Sequence, residues 1–172
     1  MELYEQVGRK FVAGIYTCDL KGFIWTEAFE FILRSYDQLH IEKDKVHLVW
    51  TENGGQLRHK LSNDILLLSV LKLTLPKYTG KALVLYRGEC QFLYDQNKIG
   101  FCWTPLQNVA EMFGSGLNAI ESGGVLLKAY APESAILSSP NKHSTEQMEE
   151  FEYTCDPTAL LNIEAIQFFN KF

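Results

Sequence analysis

The chain predicts an α+β fold, with helices in its first half and strands in its second. Three observations carry this. Apolar residues recur at helical spacing as far as Leu75; Pro76 and Gly80 then bracket a break; beyond Lys81 the apolar residues fall into short runs bounded by turn residues. Helices grouped in one stretch and strands in the next are how an α+β arrangement appears in sequence. The expected organisation is one domain over residues 1–172, with a mainly helical part at 1–80 and a β-rich part at 81–172.

Leu3, Val7, Phe11 and Val12 predict a first helix over 2–13. Asp19 to Gly22 reads as a turn. Thr26 is the expected cap of a second helix from Glu27 to about Leu39, whose apolar stripe is Ala28, Phe29, Ile32, Leu33 and Tyr36. Val46 to Trp50 reads as a short strand, and Asn53-Gly54-Gly55 as the turn after it. Asn63 caps a third helix that starts at Asp64, and its apolar run from Ile65 to Leu75 is expected to be largely buried.

Strands are expected at Ala82–Tyr86, Ile99–Trp103, Val125–Tyr130 and Ser134–Leu137. Thr104-Pro105 has the form of a helix start, a hydroxyl cap followed by proline, and Gly114 of its end. Ser138 to Gln147 is polar and reads as an exposed loop. Glu149 to Cys155 reads as a strand that Pro157 ends, and Leu161–Phe169 is compatible with strand or helix.

Composition narrows the function classes. Lys and Arg number 16 against 21 Asp and Glu, a net charge of -5, and this disfavours broad binding to nucleic acid. The cysteines Cys18, Cys90, Cys102 and Cys155 form no C-x-x-C pair and lie at no zinc-like spacing from the histidines, so no metal site is expected and the thiols read as reduced. Met1-Glu2-Leu3-Tyr4-Glu5 lacks a basic-then-apolar leader, and the run from Ile65 to Leu75 is too short to span a bilayer, so a soluble, cytoplasmic protein without membrane contact is expected.

The chemistry-bearing residues lie between Lys81 and Pro157. Arg87-Gly88-Glu89 ends an apolar run, Cys102-Trp103-Thr104-Pro105 precedes a helix, and Glu150-Phe151-Glu152 lies on the late strand. Taken singly, Arg87 reads as a surface charge, the glutamates as a solvated strand edge, and Trp103, Phe113 and Cys102 as packing residues. A Cys102–His143 hydrolase is a poor third reading, since His143 falls in the polar loop.

In order, the set resembles the arginine-type ADP-ribosyltransferases, whose signature runs Arg, then Ser-Thr-Ser, then Glu-x-Glu. The resemblance covers roughly the C-terminal half. It implies an ADP-ribosyltransferase-like fold of two packed sheets and the transfer of ADP-ribose from NAD to an arginine of a target protein. It further implies that Arg87 holds the dinucleotide, that Cys102, at the first serine position, orients the catalytic glutamate, and that Thr104 supports the site. Glu152 would stabilise the cationic ribose, Glu150 would receive the target arginine, and the loop at about 138–149 would touch the target protein. Small stand-alone proteins of this kind resemble bacterial or phage effectors and toxins, some delivered into a host cell.

The chemistry of the residues agrees. Cleaving the nicotinamide–ribose bond develops positive charge on the ribose, so the site needs a carboxylate there, a cation for the phosphates and a fixed pocket for the amide. Glu152, Arg87 and the Arg87-Gly88 backbone are the candidates, with Trp103 and Phe113 as further cofactor-binding residues. Two carboxylates on one strand face repel, which raises the pKa of one and suits it to accept a proton. The thiol of Cys102 departs from the family's serine. The alternative is therefore a catalytically inactive module of the same fold that acts by protein binding.

Overall fold

The computed structural model describes all 172 residues. They divide into two compact units, Met1–Lys77 and Tyr78–Phe172. Helices α1 (Leu3–Val12), α2 (Gly22–Ser35), α3 (Lys43–Leu61) and α4 (Asp64–Thr74) make up the first. Phe11, Trp25 and Phe29 meet at its centre, with Phe11 and Phe29 ring centroids 4.9 Å apart, beside the fully buried Ile32, Leu57, Leu67 and Leu71. Asn63 caps α4, its side chain accepting from the Leu66 N–H at 3.0 Å. Arg58 grips Asp64 with two bonds of 2.9 and 2.8 Å, fastening the α3–α4 corner. No helix is long and apolar enough to cross a membrane.

Three expectations for this unit fail. The strand at Val46–Trp50 and the turn at Asn53-Gly54-Gly55 are both interior to α3. Val46, Val49, Trp50, Leu57 and Leu61 form one buried helical face, and that burial outweighs the roughly 1 kcal/mol that each helical glycine costs. Gly54 has a use there: a Cβ would sit 3.0 Å from the Trp50 ring. The second helix begins at Gly22 rather than Glu27, so Thr26 is inside it, with its hydroxyl donating back to the Gly22 carbonyl at 3.2 Å. The expectation for α4 holds except at Ile65, which is exposed.

The second unit contains β1 (Leu83–Cys90), α5 (Gln91–Asp95), β2 (Cys102–Trp103), α6 (Gln107–Ser115), β3 (Gly124–Ala131), β4 (Ile136–Ser138), β5 (Tyr153–Cys155) and β6 (Leu161–Phe169). They form two antiparallel three-stranded sheets, ordered β1-β3-β6 and β2-β5-β4. Leu85, Leu127 and Ala129 of the first sheet share one core with Trp103, Ile136 and Cys155 of the second. A bridge between Tyr86 and Thr104, with N···O distances of 2.7 and 2.9 Å, ties β1 to the end of β2. The ambiguous segment at Leu161–Phe169 is the strand β6, paired with β3 through two irregularities.

Thr104-Pro105 does not start α6. The N–H and carbonyl of Thr104 are taken by the bridge to Tyr86, and its hydroxyl accepts from the Leu106 N–H at 3.2 Å, so the helix begins at Gln107. Gly114 does not end α6 either; the helix continues to Ser115, and Gly114 is its contact with the sheet. A Cβ on Gly88 would strike the Ala110 carbonyl and the Gly114 backbone, and a Cβ on Gly124 would strike the Gly114 carbonyl. The helix backbone therefore rests on the strand backbones, and small residues on both sides make that approach feasible.

Gly124→Ala is expected to lower the stability of the chain by about 1–3 kcal/mol, since α6 must lift to admit the methyl group. The urea midpoint measures this, and an unchanged midpoint would mean that α6 is not seated on the sheet.

Candidate active site

A cleft of ≈ 120 Å³, open at its mouth to solvent, is bounded by β1, β2, α6 and the segment before β5. Arg87, Gly88, Cys102, Trp103, Thr104, Phe113, Glu150 and Glu152 all line it, so the structure brings together every residue expected in the site. Tyr86, Val109, Ala110 and Asn118 complete the lining and were not anticipated.

Arg87 is held on three sides. Its Nε donates to Glu89 Oε2 at 2.7 Å, and its Nη1 donates to the Cys102 carbonyl at 2.8 Å. Gly100 lies against the guanidinium so closely that a Cβ there would collide with it. Glu89 also accepts from the Gly100 N–H at 2.8 Å and from the Cys90 N–H at 2.9 Å. Burial pushes the Glu89 carboxyl up, but Arg87 and these backbone donors outweigh it and hold the pKa below its ordinary value. Burial acts on Arg87 in the opposite sense, and Glu89 reverses it, so the guanidinium stays charged. Sequence reasoning passed over Glu89, although its position two residues after Arg87 on one strand was a usable signal.

The glutamates are not on a strand. Glu149 and Phe151 have φ values of 55° and 51°, and regular pairing begins only at Tyr153. The residue that shapes this segment is Ser144, which is fully buried. Its carbonyl accepts from the N–H groups of Glu150 and Phe151 at 2.9 and 3.3 Å, and its hydroxyl accepts from the Glu152 N–H at 2.8 Å. Asn141 Oδ1 in turn takes the Ser144 N–H at 2.9 Å. The loop expected to be exposed at Ser138–Gln147 therefore contains two buried serines, Ser138 and Ser144, and a turn of π-helix at His143–Gln147. Glu150 and Glu152 both reach the cleft, but through a kinked turn rather than strand alternation. Nothing in the sequence marks Ser144.

Burial raises the Glu152 carboxyl from 4.5 to about 7; a hydrogen bond from the Cys102 thiol lowers it, Glu150 raises it and Arg87 lowers it. In the unfolded chain this group ionises near 4.5, so the folded state loses stability as pH rises from about 4.5 through about 7. A carboxylate kept ionised against that cost is poised for a developing cation. Burial also pushes the Cys102 thiol well up, with Glu152 adding to the shift, so Cys102 is a neutral donor to Glu152 and not a thiolate nucleophile. Glu150 is raised by burial, an effect that His143 opposes.

Trp103 is 1% exposed and its indole N–H donates to the Gly100 carbonyl at 3.0 Å, so its ring belongs to the core and forms the cleft floor rather than an open platform. Tyr86 and Phe113 are the half-buried aromatic residues of the lining. Tyr86 bonds to Thr104 on the side of β1 away from β3, so the backbone groups of Gly88, two residues on, face that same side. The Gly88 carbonyl there accepts from Asn118 Nδ2 at 2.8 Å. The missing side chain of Gly88 thus makes room for α6, whereas its backbone edge faces the cleft. No three His, Cys, Asp or Glu side chains cluster to hold a metal ion.

No protein-family model, curated protein or solved structure matches this chain.

Ser144→Ala removes the acceptor of the Glu152 N–H at a cost of about 1 kcal/mol, and amide hydrogen exchange at Glu152 should speed up accordingly. Exchange at the wild-type rate would show that another group positions Glu152.

Proposed function

We propose that the Tyr78–Phe172 unit has an ADP-ribosyltransferase-like fold and transfers ADP-ribose from NAD to an arginine of a target protein. The observation that carries this reading is the meeting, in one cleft, of Arg87, the Cys102–Thr104 segment and the pair Glu150 and Glu152. Their separation in sequence makes that convergence informative. The cleft's cation, aromatic residues, strand-edge amide and buried carboxyl suit the phosphate, the nicotinamide ring, the carboxamide and the ribose of NAD respectively.

NAD supplies the scissile bond and a neutral leaving group. Glu152 supplies a desolvated negative charge beside the ribose, where an electrostatic stabiliser acts most strongly. The Cys102 thiol orients that carboxylate by donating to it. Arg87 offers its remaining guanidinium N–H groups to the phosphates. Glu150, at the same cleft, pairs with the incoming guanidinium and takes its proton as the new C–N bond forms. By analogy with the small bacterial and phage effectors of the resembled family, the modified protein is a host factor.

Glu152 must be ionised to act, so kcat/KM for NAD is expected to rise with pH through a midpoint of about 7 and then level off. Glu152→Gln should lower nicotinamide release by about a hundredfold or more and abolish this limb. Cys102→Ser should shift the limb to lower pH, because a hydroxyl is a better donor to the carboxylate than a thiol. Wild-type release by Glu152→Gln would end the assignment, and a protein that binds NAD without releasing nicotinamide would be the inactive binding module.

The two glutamates should separate in a second assay. Glu150→Gln is expected to abolish transfer to protein while sparing most of the hydrolysis of NAD by water, whereas Glu152→Gln should abolish both. Parallel loss in Glu150→Gln would assign Glu150 to the ribose, and unchanged transfer would leave the arginine specificity without a residue behind it.

A further inference from the structure

Glu89 takes no part in the chemistry proposed above, yet it is the ion-pair partner of Arg87. Its side chain is 2% exposed, against 17% for Arg87. Each of its oxygens is engaged: Oε2 by Arg87 Nε and the Gly100 N–H, Oε1 by the Cys90 N–H. A buried carboxylate so fully hydrogen-bonded is fixed in place, and it fixes whatever it holds. The Arg87 fork is thereby closed at its Nε edge and tethered at Nη1 to the Cys102 carbonyl. The second Nη1 hydrogen and both Nη2 hydrogens are outside these bonds.

We infer that Glu89 is the positioning residue of this site, holding the Arg87 fork in one orientation and balancing its charge. The inference rests on the transferase reading. It makes Arg87 a director of hydrogen bonds more than a source of uncompensated positive charge. It also connects Glu89 to Glu152, whose charged and titratable neighbours are Arg87 on β1, Cys102 on β2, Cys155 on β5 and Glu150 in its own segment, with His143 acting on Glu150. The negative charge of Glu89 opposes the favourable effect of Arg87 on the ionised form of Glu152. Without that charge, Arg87 favours the ionised form of Glu152 more strongly.

Two substitutions separate geometry from charge. Glu89→Gln keeps the length and one acceptor oxygen but removes the charge and replaces the other acceptor by a donor. Glu89→Asp keeps the charge but is too short to hold Arg87 and both backbone donors together. Nicotinamide release from NAD is measured against pH for both variants and the wild type, at equal concentrations of folded protein. Both variants should raise KM for NAD by about tenfold, the scale of a weakened charge-assisted hydrogen bond, with a smaller change in kcat. Only Glu89→Gln should also move the limb near pH 7 to lower pH. Wild-type KM and an unmoved limb in both folded variants would overturn the inference and make Glu89 a structural residue, leaving the transferase reading intact. Absence of nicotinamide release from the wild-type protein would overturn the reading and this inference with it.

Discussion

The buried pair of Arg87 and Glu89 is the constraint on which the site depends. Two charges removed from water are costly unless further hydrogen bonds compensate the lost solvation. Here that requirement recruits backbone from three places: Cys90 beside the pair, Gly100 in the turn before β2, and Cys102 on β2 itself. Gly100 must lack a side chain because the guanidinium lies against it. Cys102, held by its carbonyl, places its thiol against Glu152. Breaking the pair from either side would leave a buried charge alone, at a cost of about 3–5 kcal/mol, so truncating Arg87 disturbs the fold as well as any ligand.

A second constraint acts on the opposite wall. Glu149 and Phe151 adopt left-handed backbone conformations that cost non-glycine residues about 1–2 kcal/mol each. Ser144 offsets this with bonds to three consecutive amides, Glu150, Phe151 and Glu152. Strain held by surrounding structure is common where side chains must be aimed. The kink delivers two carboxyls to one cleft without the ladder that would have turned Phe151 alone to the other face. It also places Glu152 where burial opposes ionisation, which is the physical basis of its raised pKa.

How much of this was legible follows from where the information lies. The α+β division and the α4 cap were readable, since spacing and capping are local. Helix α3 was not, because Val46–Trp50 is a short apolar run like that of a strand and Gly54-Gly55 is a turn signal; only the buried face continuing to Leu57 and Leu61 reveals the helix. Thr104-Pro105 misled because a long-range bridge to Tyr86 takes the backbone groups that a helix start would use. The residues of the cleft were legible as an ordered set of types, before any statement about distance. Ser144 and Asn118 were not, since they act through backbone groups of residues 8 and 30 positions away. Glu89 lay in plain view beside Arg87 and was passed over because its partners could not be counted from sequence.

A clamped guanidinium, a desolvated glutamate and a second glutamate at one mouth are the groups that the proposed transfer of ADP-ribose to arginine requires. The most direct test of that claim is mass spectrometry of a cell lysate treated with the purified protein and NAD, with Glu152→Gln protein as the control. The account predicts ADP-ribose adducts on arginine side chains in the wild-type sample that are absent from the control. Adducts confined to other residue types, or a wild-type sample indistinguishable from the control, would contradict it.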